Sequence, residues 1–131
     1  MYRVESSPGF GSCYCHSVGR LHATGTKNQK SYLMHKHIVN ASIQIVPIVQ
    51  DRHPYEWVDQ AIEIIIASGI KCEVGPFATV VEGTYDDVMN VVNKINDHLQ
   101  QNNCSEWITN MQIQIRSKGD ITANEKTSKF Q

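Results

Sequence analysis

Two short stretches of the chain hold residue types that could do chemistry. Residues 76–83, PFATVVEG, set an aromatic, a hydroxyl and a carboxylate within one extended run that ends on a glycine. Phe77, Thr79 and Glu82 could form one wall of a ligand site. The same Glu82-Gly83 pair could instead serve the turn, Gly83 taking an unusual backbone conformation and Glu82 accepting from nearby backbone N–H groups. Thr79 and Glu82 stand three residues apart, so in a regular strand they face opposite sides, and only a bulge near Val80-Val81 would bring them together. The second stretch is Cys13-Tyr14-Cys15-His16 with His22 downstream, two thiols and two imidazoles of the kind that hold zinc. Its C-x-C spacing is tight for a structural site and no second cysteine pair closes it, so the set reads as incidental. Cys72 and Cys104 suggest no disulfide framework, which fits a reducing compartment. His35 and His37 flank Lys36, where solvent exposure is the default. No nucleophile sits in a recognisable elbow and no histidine is spaced to pair with a carboxylate, so the chain reads as a non-enzyme. A small enzyme using Glu82 as base is a third reading, behind binding and self-association.

These residues must be positioned by a fold, and 131 residues with 40% hydrophobic and 19% charged content suit one globular domain with a modest core. Charge divides the chain. Residues 1–38 carry five basic side chains against Glu5 alone, a net of +4, while the seven basic and twelve acidic residues that follow give −5. An acidic domain repels a phosphate backbone, which argues against a nucleic-acid partner. No apolar run has the length of a membrane span and the first residues lack the apolar core of a secretory signal, so a soluble, cytoplasmic protein without membrane contact is expected. Residues 1–38, rich in Gly, Ser, His and Thr, read as a disordered or loosely attached leader, as an organelle transit segment, or as the product of a misassigned start upstream of Met34.

From residue 39 the patterns sharpen. Residues 41–49 alternate, with Ile43 and Ile45 on one face and Ser42, Gln44 and Val46 on the other, a half-buried strand in which Pro47 marks an edge, an end or a bulge. Pro54 suits a first helical position; Tyr55, Val58, Ile62, Ile65 and Ile66 recur at helical spacing, and Gly69 suits the C-terminal cap. Residues 70–74 and 77–82, split by Gly75-Pro76, predict an antiparallel hairpin. Thr84 caps a second helix, with Asp87 as a capping-box partner and Val88, Val91, Val92, Ile95 and Leu99 as its buried face. Residues 107–116 alternate again, Met111, Ile113 and Ile115 inward and Asn110, Gln112, Gln114 and Arg116 outward. The polar tail, residues 119–131, is expected to fray.

The order β-α-β-β-α-β predicts a ferredoxin-like α+β sandwich over residues 39–118, a four-stranded antiparallel sheet with two helices on one face. The first and last strands are expected at its centre, with a polar outer face of Ser42, Gln44, Asn110, Gln112 and Gln114. Several uses of this fold are excluded by chemistry. Metal transfer needs two thiolates in the first strand-to-helix loop, which here is Gln50-Asp51-Arg52-His53. RNA recognition needs aromatics on the central strands, where glutamines stand. An acylphosphatase-like site needs an anion-cradling glycine loop, which Asp51 and Pro54 fit poorly.

Residues 39–116 resemble the small thiamine-binding, YkoF-like family of ferredoxin-like proteins. The resemblance rests on SIQIVPIV ending in Pro47, on Ala61 followed by Ser68-Gly69, on Gly75-Pro76, and above all on Thr79-x-x-Glu82-Gly83. It implies a non-enzymatic protein without a cofactor that binds thiamine or its hydroxymethylpyrimidine part as carrier or sensor, and that forms dimers or tetramers through the sheet. A structural or regulatory oligomer without a small ligand is the alternative. An aminopyrimidine offers an amine donor, a ring-nitrogen acceptor and two flat faces. Glu82 would accept from the amine, Thr79 or Gln44 would add a polar contact, and Phe77, Tyr55 or Trp57 would make the wall, the acidic domain favouring the thiazolium charge.

Overall fold

The computed structural model describes residues 36–131. The Cys13, Cys15, His16 and His22 set, His35 and all but the end of the expected leader lie outside the described residues. The chain runs β1 (Ile38–Pro47), α1 (Pro54–Ala67), β2 (Lys71–Val74), β3 (Thr79–Thr84), α2 (Tyr85–Gln101), β4 (Trp107–Gln114) and a short α3 (Ala123–Thr127) that ends in a 3-10 turn. The strands form one antiparallel sheet in the order β2-β3-β1-β4, with α1 and α2 packed on one face, a ferredoxin-like α+β fold.

That order corrects one expectation. β1 and β3 are central and β4 is an edge strand. Each crossover skips one strand position: α1 carries the chain from β1 past the gap that β3 then fills, and α2 carries it from β3 over β1 to the far edge. Pro47 closes β1, opposite Trp107 and beyond Ile43↔Thr79, the last pair with β3, so its missing N–H falls at the strand's end.

The core lies between sheet and helices. β1 contributes Val39, Ala41, Ile43 and Ile45, β3 contributes Val81, and α2 buries Val88, Val91, Val92, Ile95 and Leu99. On α1 the buried stripe is Trp57, Ala61 and Ile65, at strict four-residue spacing, rather than one that includes Tyr55 and Ile66, both of which are exposed. Full burial of side chains this size stabilises by about 1.5–3 kcal/mol each. The edge strand is tied to α2 through Asn96, whose Oδ1 accepts from Trp107 Nε1 at 3.0 Å and from Thr109 Oγ1 at 2.7 Å.

The caps follow the local sequence. His53 Nδ1 accepts from the Tyr55 N–H ahead of Pro54, and Gly69 closes α1 with φ +75°. Thr84 Oγ1 accepts from the Asp87 N–H at 3.2 Å and donates to Asp87 Oδ2 at 2.7 Å. Gly83 keeps a negative φ, so its role is room rather than an unusual backbone: a Cβ there would stand 2.9 Å from Ile70 Cδ1.

The segment after Lys118 does not fray. Ile121 is buried, its N–H donates to the Ile38 carbonyl, and the Ile38 N–H donates to Asp120 Oδ1, which clips the chain against the start of β1. α3 then lies over the sheet face that the larger helices leave open. Polarity misled the sequence reading here, because the anchoring is mostly by hydrogen bonds and ion pairs.

The β2–β3 turn is closed by a Gly75 N–H to Ala78 O bond of 3.0 Å, and a Cβ on Gly75 would meet that same carbonyl oxygen at 2.8 Å. Gly75→Ala is therefore expected to lower the unfolding free energy by about 1–3 kcal/mol, since backbone must move. Gly83→Ala should lose less, because the Ile70 methyl can rotate away; urea unfolding of the two variants measures the order.

Candidate functional site

Directly paired residues on neighbouring strands point to the same side, so the register writes out the open face of the sheet in rows. Lys71, Glu82, Asn40 and Gln114 form the first; Glu73, Val80, Ser42 and Gln112 the second; Gln44 and Asn110 the third; Val46 and Ile108 the fourth. The face thus grades from charged, through hydroxyl and amide, to apolar.

The residues expected to bind ligand are distributed over this frame. Gln44 stands in the third row, its Oε1 accepting from Asn110 Nδ2 at 3.1 Å. Phe77, on the β2–β3 turn, is 82% exposed and lines, with Ser42, Gln44, Asn110 and Gln112, an open groove of about 410 Å³. Thr79 is buried on the helix side, where it lines with Gln44 and Phe77 a cleft of only about 70 Å³ under the turn. β3 pairs without interruption on both sides from Thr79 to Glu82, so there is no bulge, and Thr79 and Glu82 face opposite sides of the sheet. Tyr55 stands apart from the groove, its ring 4.9 Å from that of His53, and Trp57 is wholly buried in the core beneath the Arg52 guanidinium. The structure therefore gathers Gln44 and Phe77, with Thr79 behind them, and leaves Glu82 and Tyr55 elsewhere. Ser42, Asn110 and Gln112 join the groove unforeseen as site residues, although the period-two polar alternation of β1 and β4 already carried that signal.

Glu82 is committed inside the fold. Its carboxylate, 8% exposed, accepts from Lys71 Nζ at 2.6 Å and from the Ala123 N–H at the start of α3. Beside it, Lys126 Nζ donates to Asn40 Oδ1 at 2.6 Å, while Asn40 Nδ2 donates to the Val81 carbonyl. A further ion pair, Arg116 with Glu125 at 2.7 Å, holds the outer side of α3. Burial pushes the Glu82 carboxyl up, but the Lys71 hydrogen bond, the Ala123 N–H and the charges of Lys71 and Lys126 together outweigh it and hold its pKa below the ordinary 4.5. A group of this chemistry latches the C-terminal segment to the sheet. Among the described residues no three histidine, cysteine or acidic side chains gather as a metal site, and no helix is long and apolar enough to cross a membrane.

A carboxyl whose pKa is depressed on folding contributes stability that is complete above its unfolded value and is lost as pH falls through the folded one. Stability should hold down to about pH 4.5 and then decline. Glu82→Gln should remove that acid limb, lower stability by about 1.5–3 kcal/mol, and speed amide exchange in residues 121–127. Denaturant unfolding against pH and hydrogen exchange measure both, and an unchanged Glu82→Gln variant would refute the latch.

Residues 41–131 match the model of the thiamine-binding protein family. A UPF0045 protein of Clostridium perfringens is 38% identical over 91 residues, covering 70% of this chain and 95% of that protein. Among solved structures, a Thermotoga maritima protein assigned to thiamine biosynthesis/salvage by name alone is 37% identical with a TM-score of 0.65, over 72% of this chain and 99% of that one. A domain of unknown function, DUF77, from Bacillus cereus is 32% identical with a TM-score of 0.69, over 75% and 93%. The match runs through α3 to the last residue, so the segment latched by Glu82 lies within the region that the family model describes. On this sequence match and this fold, the chain belongs to the thiamine-binding protein family.

Proposed function

We propose that the protein binds thiamine or a hydroxymethylpyrimidine-type ligand reversibly, as a carrier or sensor and without catalysis, at the groove between Phe77 and the amides of Gln44, Asn110 and Gln112. The observation that carries this reading is one groove lined by both a largely exposed aromatic ring and three carboxamides. An aminopyrimidine presents a donor and an acceptor side by side in its ring plane. Each carboxamide offers one acceptor and two donors, and so can meet that edge while the aromatic ring covers the flat face. Membership of the thiamine-binding family and the role named for the Thermotoga maritima neighbour support the choice of ligand. The amine contact assigned to Glu82 from the sequence passes to these amides, because Glu82 is nearly buried and each of its oxygens already accepts, one from Lys71 and one from Ala123.

Thiamine and hydroxymethylpyrimidine are expected to raise the melting temperature selectively over unrelated pyrimidines, by mass action on the native state. Phe77→Ala should weaken binding about tenfold, in line with the roughly 1–3 kcal/mol of a base–aromatic stack, without lowering stability. Calorimetric titration of wild type and variant measures this, and undiminished affinity in the variant would remove the ligand from this groove.

A second reading, self-association through the same face, is favoured by the fourth row, where Val46 and Ile108 are adjacent and exposed. Light scattering of wild type and Ile108→Lys separates the two readings. Dissociation of an oligomer in the variant supports a sheet-mediated interface, and a monomer in both leaves the groove free for ligand alone.

A further inference from the structure

The open face continues beyond the amides that would hold a pyrimidine ring. A second trough, of about 240 Å³, shares Ser42 and Gln112 with the Phe77 groove and runs on to Asn40, Gln114 and Lys126. From the Gln44 row to the Asn40 row is four residues along β1, about 13 Å at the rise of an extended strand. One substituted six-membered ring covers about two rows, roughly 7 Å, so the remaining length suits a second ring carrying a polar tail.

The chemistry at the far end is set by the charges there. Lys126 donates to a neutral oxygen, Asn40 Oδ1. Glu82, whose carboxylate feels the Lys126 charge, already accepts from Lys71 at 2.6 Å and from the Ala123 N–H, and Glu125 on the same short helix is bound by Arg116. Glu82 takes its direct ion pair from Lys71 and Glu125 from Arg116, so among the described residues Lys126 feels the Glu82 charge without a direct carboxylate contact of its own. Glu73, the remaining carboxylate in these rows among the described residues, belongs to the outer strand β2, two strands or about 10 Å from β1. Around Lys126, the Gln112 and Gln114 amides and the Ser42 hydroxyl add donors. An ammonium with neutral donors at the end of a trough is suited to a phosphate ester.

We infer that the site takes the phosphorylated form of its ligand, the pyrimidine at Phe77 and the phosphate at Lys126, which makes Lys126 the residue that selects ester over free alcohol. The inference rests on the pyrimidine-binding reading, and it adds a specificity that the Phe77 groove alone would not give. Lys126 is exposed and belongs to a helix with no buried residues, so it can be replaced with little disturbance of the core.

The test is calorimetric titration of the full chain with thiamine and with thiamine monophosphate, repeated on Lys126→Gln and Lys126→Arg. Wild type should bind the monophosphate about tenfold more tightly than thiamine, as expected for a charge-assisted contact, and the advantage should shrink as salt is raised. Lys126→Gln should abolish that ratio while leaving thiamine affinity unchanged, and Lys126→Arg should keep most of it. Equal affinities in wild type, or a ratio that survives in Lys126→Gln, would overturn the inference while leaving the pyrimidine site standing. Binding of neither compound would refute the pyrimidine reading and this one with it. Thermal unfolding of the two variants checks that the fold is intact, since a loss of structure would weaken both ligands alike.

Discussion

The uninterrupted pairing of β3 with both its neighbours decides which side chains this molecule presents to anything outside itself. A strand has a side-chain period of two, so fixing the register at one pair fixes every face assignment along it. Val81 goes to the core with Thr79, and Glu82 goes to the open face with Val80. Because β3 is central, these assignments propagate through direct pairing into β1 and β2, and through β1 into β4. One bulge at Val80 or Val81 would have turned Glu82 toward the helices and the apolar core, away from Lys71 and Ala123.

On the open face Glu82 is still nearly buried, and the fold supplies what a buried carboxylate needs: a cation, a backbone donor and a neighbouring positive charge. Those partners come from three distant parts of the chain, Lys71 on β2, Ala123 at the start of α3 and Lys126 within it. The result is reciprocal. The C-terminal segment screens Glu82 from water, and Glu82 gives a short helix without buried side chains a fixed place on the sheet. A group so engaged is poorly available to a ligand, since a new contact would have to displace a charge-assisted bond of about its own strength.

Much of this was legible because it is local or periodic. The six elements, the fold class, the face of α2 and the caps at Pro54, Gly69 and Thr84 follow from side-chain spacing and from residues with restricted backbone preferences. Three features were not legible, each for a physical reason. Strand order depends on which positions the two crossovers skip, and apolar pattern does not encode that. Trp57 is chosen over Tyr55 for the core by the rotation of α1 about its axis, which several apolar residues at mixed spacing leave ambiguous. The anchoring of residues 119–131 uses polar contacts to residues some 40 and 80 positions away, such as Ala123 to Glu82 and Lys126 to Asn40, which carry no periodic signal. That Gln44 and Phe77 line one groove could be anticipated from their types and faces. For Glu82 the sequence left a ligand contact and a backbone-bonding role side by side, and the donor that it meets, the Ala123 N–H, lies in that distant tail.

The grading of the open face then limits what kind of recognition is physically sensible there. At one end α3 and its ion pairs already cover the first row, and at the other Val46 and Ile108 stand bare. Between them, apart from Glu73 on the outer strand, the face is uncharged and dense in hydrogen-bonding groups, and a bond joins the Asn110 and Gln44 carboxamides. Preorganisation of this kind favours a planar, polar heterocycle, which is held by few atoms and tolerates little misplacement, over a flexible chain that would have to order itself on arrival. An extended apolar partner would meet amides it could not satisfy, and a strongly anionic surface would meet an acidic domain. Such a face suits a small flat ligand with a donor–acceptor edge, and the proposed orientation along the strands sets one end beside Phe77 and the other toward Lys126.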